Sequence, residues 1–221
     1  MKTERCQIIL PIVSLGIYLA WAAPFVGQWD SFDYLKQIVG HEFSPLGIGR
    51  PVFIAYNILL WESMKRIFHL QPEHVQMVVQ AATALIGALG VFLFRRLAGQ
   101  FLQPPAVRMA ALAFALSPVY ALYSGFVMTE VPMLVALMGS ALMLCKPGCR
   151  QTAWNDVLAG ILFGLAVGIR EQALTLAPAL LWIACCRRCG GVSRFRSAAL
   201  FAASAAAVSL VPVLLFYLGD R

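Results

Sequence analysis

Runs of apolar residues broken by short charged clusters dominate this chain, and run length decides how each is read. About 17–25 mostly apolar residues suffice to cross a hydrocarbon core as a helix. On that measure the pattern predicts membrane helices near 7–26, 74–94, 109–127, 130–145, 153–169, 172–186 and 197–218. Segment 27–73 is different in kind. It holds Asp30, Asp33, Lys36, Glu42, Arg50, Glu62, Lys65, Arg66 and Glu73 together with His41 and His69, with His74 directly after it, around an apolar stretch at 51–61. Within the fifth run Gly160, Gly164 and Gly168 recur every four residues, a spacing that lets helices approach closely. The Ala-rich stretch 198–207 reads likewise as a tightly packed helix.

Composition agrees with the run lengths. Apolar residues make up 61% of the 221, and charged residues only 12%. A soluble domain of this size could not bury that much apolar surface, so a soluble enzyme, a disordered regulator and a secreted disulfide scaffold are excluded. The formal charge of +7 is read as membrane topology, not as a nucleic-acid footprint, because Lys and Arg gather on the cytoplasmic side of membrane helices. If 51–68 does not cross, eleven of the 17 basic residues fall inside and eight of the 10 acids outside. If it does cross, Arg95-Arg96 and the Arg187-Arg188 cluster move outside, against that bias. The expectation is therefore one large outer loop, 27–73, carrying re-entrant or interfacial helices, with the N-terminus cytoplasmic and the C-terminus outside. The first helix is expected to remain uncleaved, since 7–26 is longer than the apolar core of a signal peptide. Cys6, Cys145, Cys149, Cys185, Cys186 and Cys189 all fall inside, where thiols stay reduced. No second pair or histidine at ligand spacing completes a zinc site with Cys185-Cys186-x-x-Cys189, which is read as small residues at a helix end, open to acylation.

Three places could carry chemistry. From Asp30 to Phe43 a helical wheel puts Asp30, Asp33, Tyr34, Gln37 and His41 within about 100° on one face. Phe32, Leu35, Val39 and Phe43 lie opposite, which predicts an amphipathic helix on the outer surface, apolar side down and anchored by Trp29. Glu130 lies in an outer turn, Met128-Thr129-Glu130-Val131-Pro132, where it reads either as an interfacial functional acid or as part of an N-cap. Arg170 lies in another outer turn, against the charge bias; it suits a phosphate or an outer-loop carboxylate, or a local ion pair with Glu171. His41, His69 and His74 share no metal-ligand spacing. No G-x-S-x-G, H-E-x-x-H or P-loop pattern occurs, and the helix interiors carry almost no charge, which speaks against an ion-coupled transporter.

In order along the chain, these pieces resemble the GT-C superfamily of polytopic glycosyltransferases. The carriers are Trp29-Asp30-Ser31-Phe32-Asp33-Tyr34 at the opening of the first outer loop, Ser44-Pro45 through Gly49-Arg50-Pro51, and Arg95-Arg96-Leu97-Ala98-Gly99 at a helix end. The stretches ALSPVYALYSGFVMTEVPML and AGILFGLAVGIREQALTLAPALL complete the set. Two departures stand out: Ser31 occupies a position where many members have Glu, and Ser44-Pro45 replaces a His-Pro start.

The resemblance implies an all-α polytopic transmembrane bundle of about seven spans that transfers a sugar from a polyprenyl- or dolichyl-phosphate donor to an acceptor hydroxyl on the outer face. It implies Asp30 as the base toward the acceptor with Asp33 as its neighbour, Glu130 as the second-loop acid, and Arg170 and Arg50 at the donor phosphate. Tyr34, Gln37 and His41 are then sugar or acceptor contacts. No cofactor is implied, with a divalent cation left open. The expected partners are the lipid-linked sugar and the membrane itself, with no nucleic acid. Superfamily members are usually longer, so the chain is expected to match their N-terminal part, with a membrane protein partner as one source of further helices. The competing readings are a non-catalytic membrane assembly protein and an inactive remnant.

Overall fold

The computed structural model describes residues 2–22, 29–41, 50–145, 152–186 and 194–219. Among these, every regular element is helical: α1 (Lys2–Ala20), α2 (Trp29–Gly40), α3 (Pro51–Phe68), α4 (Val75–Ala98), α5 (Pro104–Ala115), α6 (Pro118–Ser124), α7 (Glu130–Leu144), α8 (Ala153–Ile169), α9 (Ala177–Cys186) and α10 (Arg194–Gly219). Short 3-10 turns, Pro72–His74 and Glu171–Leu176, lead into α4 and α9. The all-helical class is as expected. Each predicted run contains a helix, but not all as single rods. Pro72–Ala98 (27 residues, mean hydropathy 2.1) is long and apolar enough to cross a membrane alone, and α5 with α6 would form a second such unit bent by 57°. At the other five runs the apolar helical stretches among the residues with described side chains are Ile8–Ala20, Glu130–Leu144, Ala153–Ile169, Glu171–Cys186 and Phe195–Leu210.

The bend replaces the straight helix expected over 109–127, and its cause is Pro118. Proline has no N–H, and its ring collides with the preceding turn of a continuing helix. The chain breaks at Leu116-Ser117 and restarts with the proline in the first turn of α6. The Ala115 carbonyl, which sits at the break, accepts a hydrogen bond from the Tyr18 hydroxyl of α1 (2.9 Å). Tyr120 donates in turn to the Gly87 carbonyl of α4 (2.8 Å). An unpartnered buried carbonyl costs about 1–3 kcal/mol, so Tyr18→Phe is expected to destabilise by that amount, read as a lower melting temperature in detergent.

α4 is flanked by α1 and α7, while α8 lies between α7 and α10. The glycines of α8 set the closest approach. A Cβ at Gly164 would lie 2.6 Å from the Ala205 carbonyl oxygen, and one at Gly160 would collide with the carbonyl of Phe201. The contacts advance together, 160 to 201 and 164 to 205, so α8 and α10 run parallel. Packing accounts for this glycine face, as expected from its spacing.

α2 and α3 cover one end of the bundle. Phe53, Ile54 and Trp61 of α3 share a core with Tyr34, Leu35 and Ile38 of α2, Val75 and Val79 at the start of α4, Val127 ahead of α7, and Ile169 at the end of α8. That end is where α4 and α7 begin and α8 finishes. The surface-lying α2 expected from the wheel needs correction. Leu35 is buried inside the protein, as are Tyr34 and Gln37, because α2 packs on α3 through an arc between its two expected faces. Phe32 and Val39 remain exposed. The helix stops at Gly40, not Phe43, because His41 takes a left-handed conformation (φ 55°). Phe43, Ser44–Gly49, Cys149, Cys189 and the side chains of Trp29 and Cys6 lie outside the described residues.

Candidate functional site

Two arginine–carboxylate pairs stand at the end of the bundle that α2 and α3 cover. The first joins α7 to α8. Glu130 occupies the first turn of α7, where the positive end of the helix favours a carboxylate. Arg170 follows the last residue of α8 in an extended conformation (φ −158°, ψ 121°), which projects it sideways from the bundle end. Its Nη1 donates to Glu130 Oε1 and to Thr129 Oγ1 (3.2 Å), and its Nε donates to Gln172 Oε1.

This geometry shows which partners the two residues take. Arg170 pairs across the helices with Glu130, and its local partner is Gln172, not Glu171. Thr129 precedes α7 but makes no side-chain cap, because its hydroxyl faces the guanidinium. Both charged side chains are mostly covered, Arg170 to 17% exposure and Glu130 to 28%. Glu130 Oε2 is buried without a hydrogen-bond partner, and no partner engages Arg170 Nη2 among the described residues. An acceptor and a donor are thus left uncommitted beside each other.

The second pair joins α2 to the residue ahead of α3. Arg50 Nη1 lies 3.7 Å from Asp30 Oδ2, and its guanidinium stacks over the Tyr34 ring at 5.1 Å. The stack continues edge-on from Tyr34 to Phe53 (5.2 Å) and from Phe53 to Tyr56 (5.6 Å). Asp30 itself is 53% exposed. Beside it, Asp33 accepts a hydrogen bond from Gln37 Nε2 (2.6 Å). His41 faces away toward α3, 3.1 Å from Glu62, which also meets Lys65 at 3.7 Å.

Ser31 ties the two pairs together. Its buried hydroxyl donates to the Val127 carbonyl (2.9 Å) and lies 3.5 Å from Met128 Sδ. The residue next to Asp30 is therefore fastened to the turn that leads into Glu130. No hydrogen bond or ion pair links one arginine–carboxylate pair to the other directly among the described residues. Asp30, Arg50, Tyr34, Glu130 and Arg170 thus gather at one end of the bundle, Asp33 and Gln37 pair on the next turn of α2, and His41 belongs to a separate cluster.

Sequence reasoning missed three polar groups. The Tyr56 hydroxyl and Asn57 Oδ1 are buried without hydrogen-bond partners on α3, and burial pushes the Tyr56 hydroxyl up to about 12. Asp156 is buried in the first turn of α8, at the opposite end of the bundle from Arg170. An acid opening an apolar helix was the available signal. No group of three or more His, Cys, Asp and Glu that could hold a metal ion occurs among the described residues.

No curated protein and no solved structure matches the chain. A family model does match, and it covers Glu130 and Arg170 while starting after Asp30 and Arg50. That model describes dolichyl-phosphate-mannose-protein mannosyltransferases, a membrane-integral glycosyltransferase family of GT-C type; it matches residues 51–216, and the chain belongs to that family.

Proposed function

We propose that the chain transfers a sugar from a polyprenyl- or dolichyl-phosphate carrier to an acceptor hydroxyl, with the two arginine–carboxylate pairs on the outer side of the membrane. The observation that carries this reading is the Arg170–Glu130 pair, which leaves a guanidinium edge and a carboxylate oxygen uncommitted in a largely covered position.

A lipid-phosphate sugar is already activated, because phosphate is a competent leaving group. Two tasks remain: removing the acceptor proton, and stabilising charge on the departing phosphate. Asp30, exposed and in the first turn of α2, is the proposed base. Arg170 holds the phosphate through Nη2, since an in-plane guanidinium edge suits phosphate oxygens, and Arg50 adds a second positive charge. Glu130 orients Arg170 through one oxygen. Tyr34 and Gln37 support this set from beneath, Tyr34 under the Arg50 guanidinium and Gln37 by holding Asp33. The proposed topology keeps the seven runs as spans and 27–73 as an outer loop. The short helices are then extended by flanking residues, tilt or local thinning of the bilayer.

The test supplies the protein, in liposomes, with radiolabelled polyprenyl-phosphate sugars and follows label transfer to acceptor. Arg170→Ala is expected to lower turnover roughly 10²–10³-fold, as loss of a charge-stabilising donor does, while the chain stays monodisperse in detergent. Unchanged turnover would remove Arg170 from the site. No transfer with any donor would favour the non-catalytic assembly reading.

A further inference from the structure

An apolar groove of about 250 Å³ runs between α1 and α4, open along its length. Its walls come from Ile8, Pro11, Ile12 and Leu15 on one side and Leu89 and Phe92 on the other. Several of these residues face outward, with Ile12 62% and Leu89 49% exposed. Nothing polar lines it that could hold a sugar, a nucleotide or a peptide backbone. Its volume falls below the roughly 300–1,000 Å³ of small-molecule pockets and suits an alkyl chain.

One end of the groove is marked by charge. Phe92 carries the Arg96 guanidinium over its ring, 5.2 Å from the centroid. A stacked guanidinium keeps its in-plane N–H groups available for phosphate oxygens. Among the residues whose side chains are described, no carboxylate pairs with Arg96. Arg95 adjoins it in the last turn of α4. The α1–α4 groove therefore combines an alkyl-shaped slot with a cationic end.

We infer that this groove holds one acyl chain of an anionic glycerophospholipid, with the lipid phosphate on Arg96. The inference rests on the reading that α1 and α4 cross the membrane. It concerns a different lipid from the sugar donor. Val75 and Arg96 are separated by about 30 Å along α4 at 1.5 Å per residue, close to the thickness of a hydrocarbon core. A phosphate at Arg96 thus sits in the leaflet opposite the Arg170 site. The positive-inside tendency makes that leaflet the cytoplasmic one.

The experiment delipidates the full chain in a mild detergent and titrates it with phosphatidylglycerol, phosphatidylcholine or inorganic phosphate, counting bound molecules by native mass spectrometry. The wild type is expected to retain one phosphatidylglycerol about tenfold more tightly than phosphatidylcholine, as a charge-assisted contact provides. Arg96→Gln is expected to erase that preference. Leu89→Trp, which fills the slot, is expected to weaken both lipids. Equal retention of the two lipids by the wild type, an unchanged preference in Arg96→Gln, or inorganic phosphate binding as tightly as the lipid would each overturn the inference. Sugar transfer by Arg96→Gln is expected to match wild type, so loss of lipid selectivity is read separately from loss of catalysis. Alkaline extraction of the chain from membranes would instead overturn the membrane-crossing reading beneath both.

Discussion

Asp30→Asn is expected to lower sugar transfer by about 10²–10⁴-fold, the range that a positioned general base contributes, while leaving the fold unchanged. The amide keeps the size of the carboxylate but cannot accept the hydroxyl proton. The structural consequence is small, because Asp30 is half exposed and meets Arg50 at 3.7 Å, and an ion pair of that kind is worth about 0–1 kcal/mol. Ser31, which fastens α2 to the Val127 carbonyl, is untouched. Asp33→Asn is the contrast. Its side-chain oxygen still accepts from Gln37, and the expected loss is less than tenfold because Asp33 is engaged with its own helix. Initial rates at saturating donor, with melting curves of both variants, check the pair of expectations. Wild-type turnover by Asp30→Asn, or a larger loss in Asp33→Asn, would move the base elsewhere.

The contrast between these neighbouring acids shows where sequence reasoning reaches and where it stops. Apolar runs locate helices because the length needed to cross a bilayer is a one-dimensional property; 74–94 became Val75–Ala98 with little change. Charges in the turns are also legible, since Glu130 and Arg170 interrupt apolar surroundings where burial is costly. Their pairing is not. The two residues lie forty apart and meet only because α7 packs against α8, with Ser140 of one helix donating to the Ala159 carbonyl of the other (2.8 Å).

The reading of α2 went astray for a related reason. A helical wheel separates polar from apolar positions, but it does not identify the neighbour. Once α3 is that neighbour, the buried arc centres on Ser31, Tyr34, Leu35 and Ile38, while Phe32 and Val39 of the expected apolar face stay exposed. Ser31 is the clearest case. As a sequence position it looked like a lost family acid, whereas in the fold it is the hydroxyl that joins the Asp30 helix to the Glu130 turn. Pro118 was visible in the chain, but a hydropathy window averages over it, and so one bent unit was read as a straight span.

Gly164→Leu is expected to remove the folded state, or to lower its melting temperature more than any other single change considered. A Cβ at position 164 lies 2.6 Å from the Ala205 carbonyl oxygen and 2.9 Å from the Val208 Cβ. The first obstacle is backbone, so no rotamer change relieves it and α10 must move away from α8. Gly164→Ala already meets this collision, and an overpacked core typically costs about 1–3 kcal/mol; the isobutyl group of leucine adds to it. Lipid does not repay the separation, because helix association within a bilayer depends on close packing and not on removing apolar surface from water. Gly16→Ala provides the control. Its Cβ would meet nothing within 4 Å, and the helix propensity gained, up to about 1 kcal/mol, is expected to leave the melting temperature equal or slightly higher. The same change also probes function, since Arg170 hangs from the C-terminal end of α8, whereas Glu130 is held by α7. If Gly164→Ala stays folded but shifts α8, transfer is expected to fall with KM for donor rising, because the guanidinium no longer meets both Glu130 and the phosphate. A Gly164→Leu protein that melts and turns over like wild type would show that the α8–α10 contact does not hold the site in place.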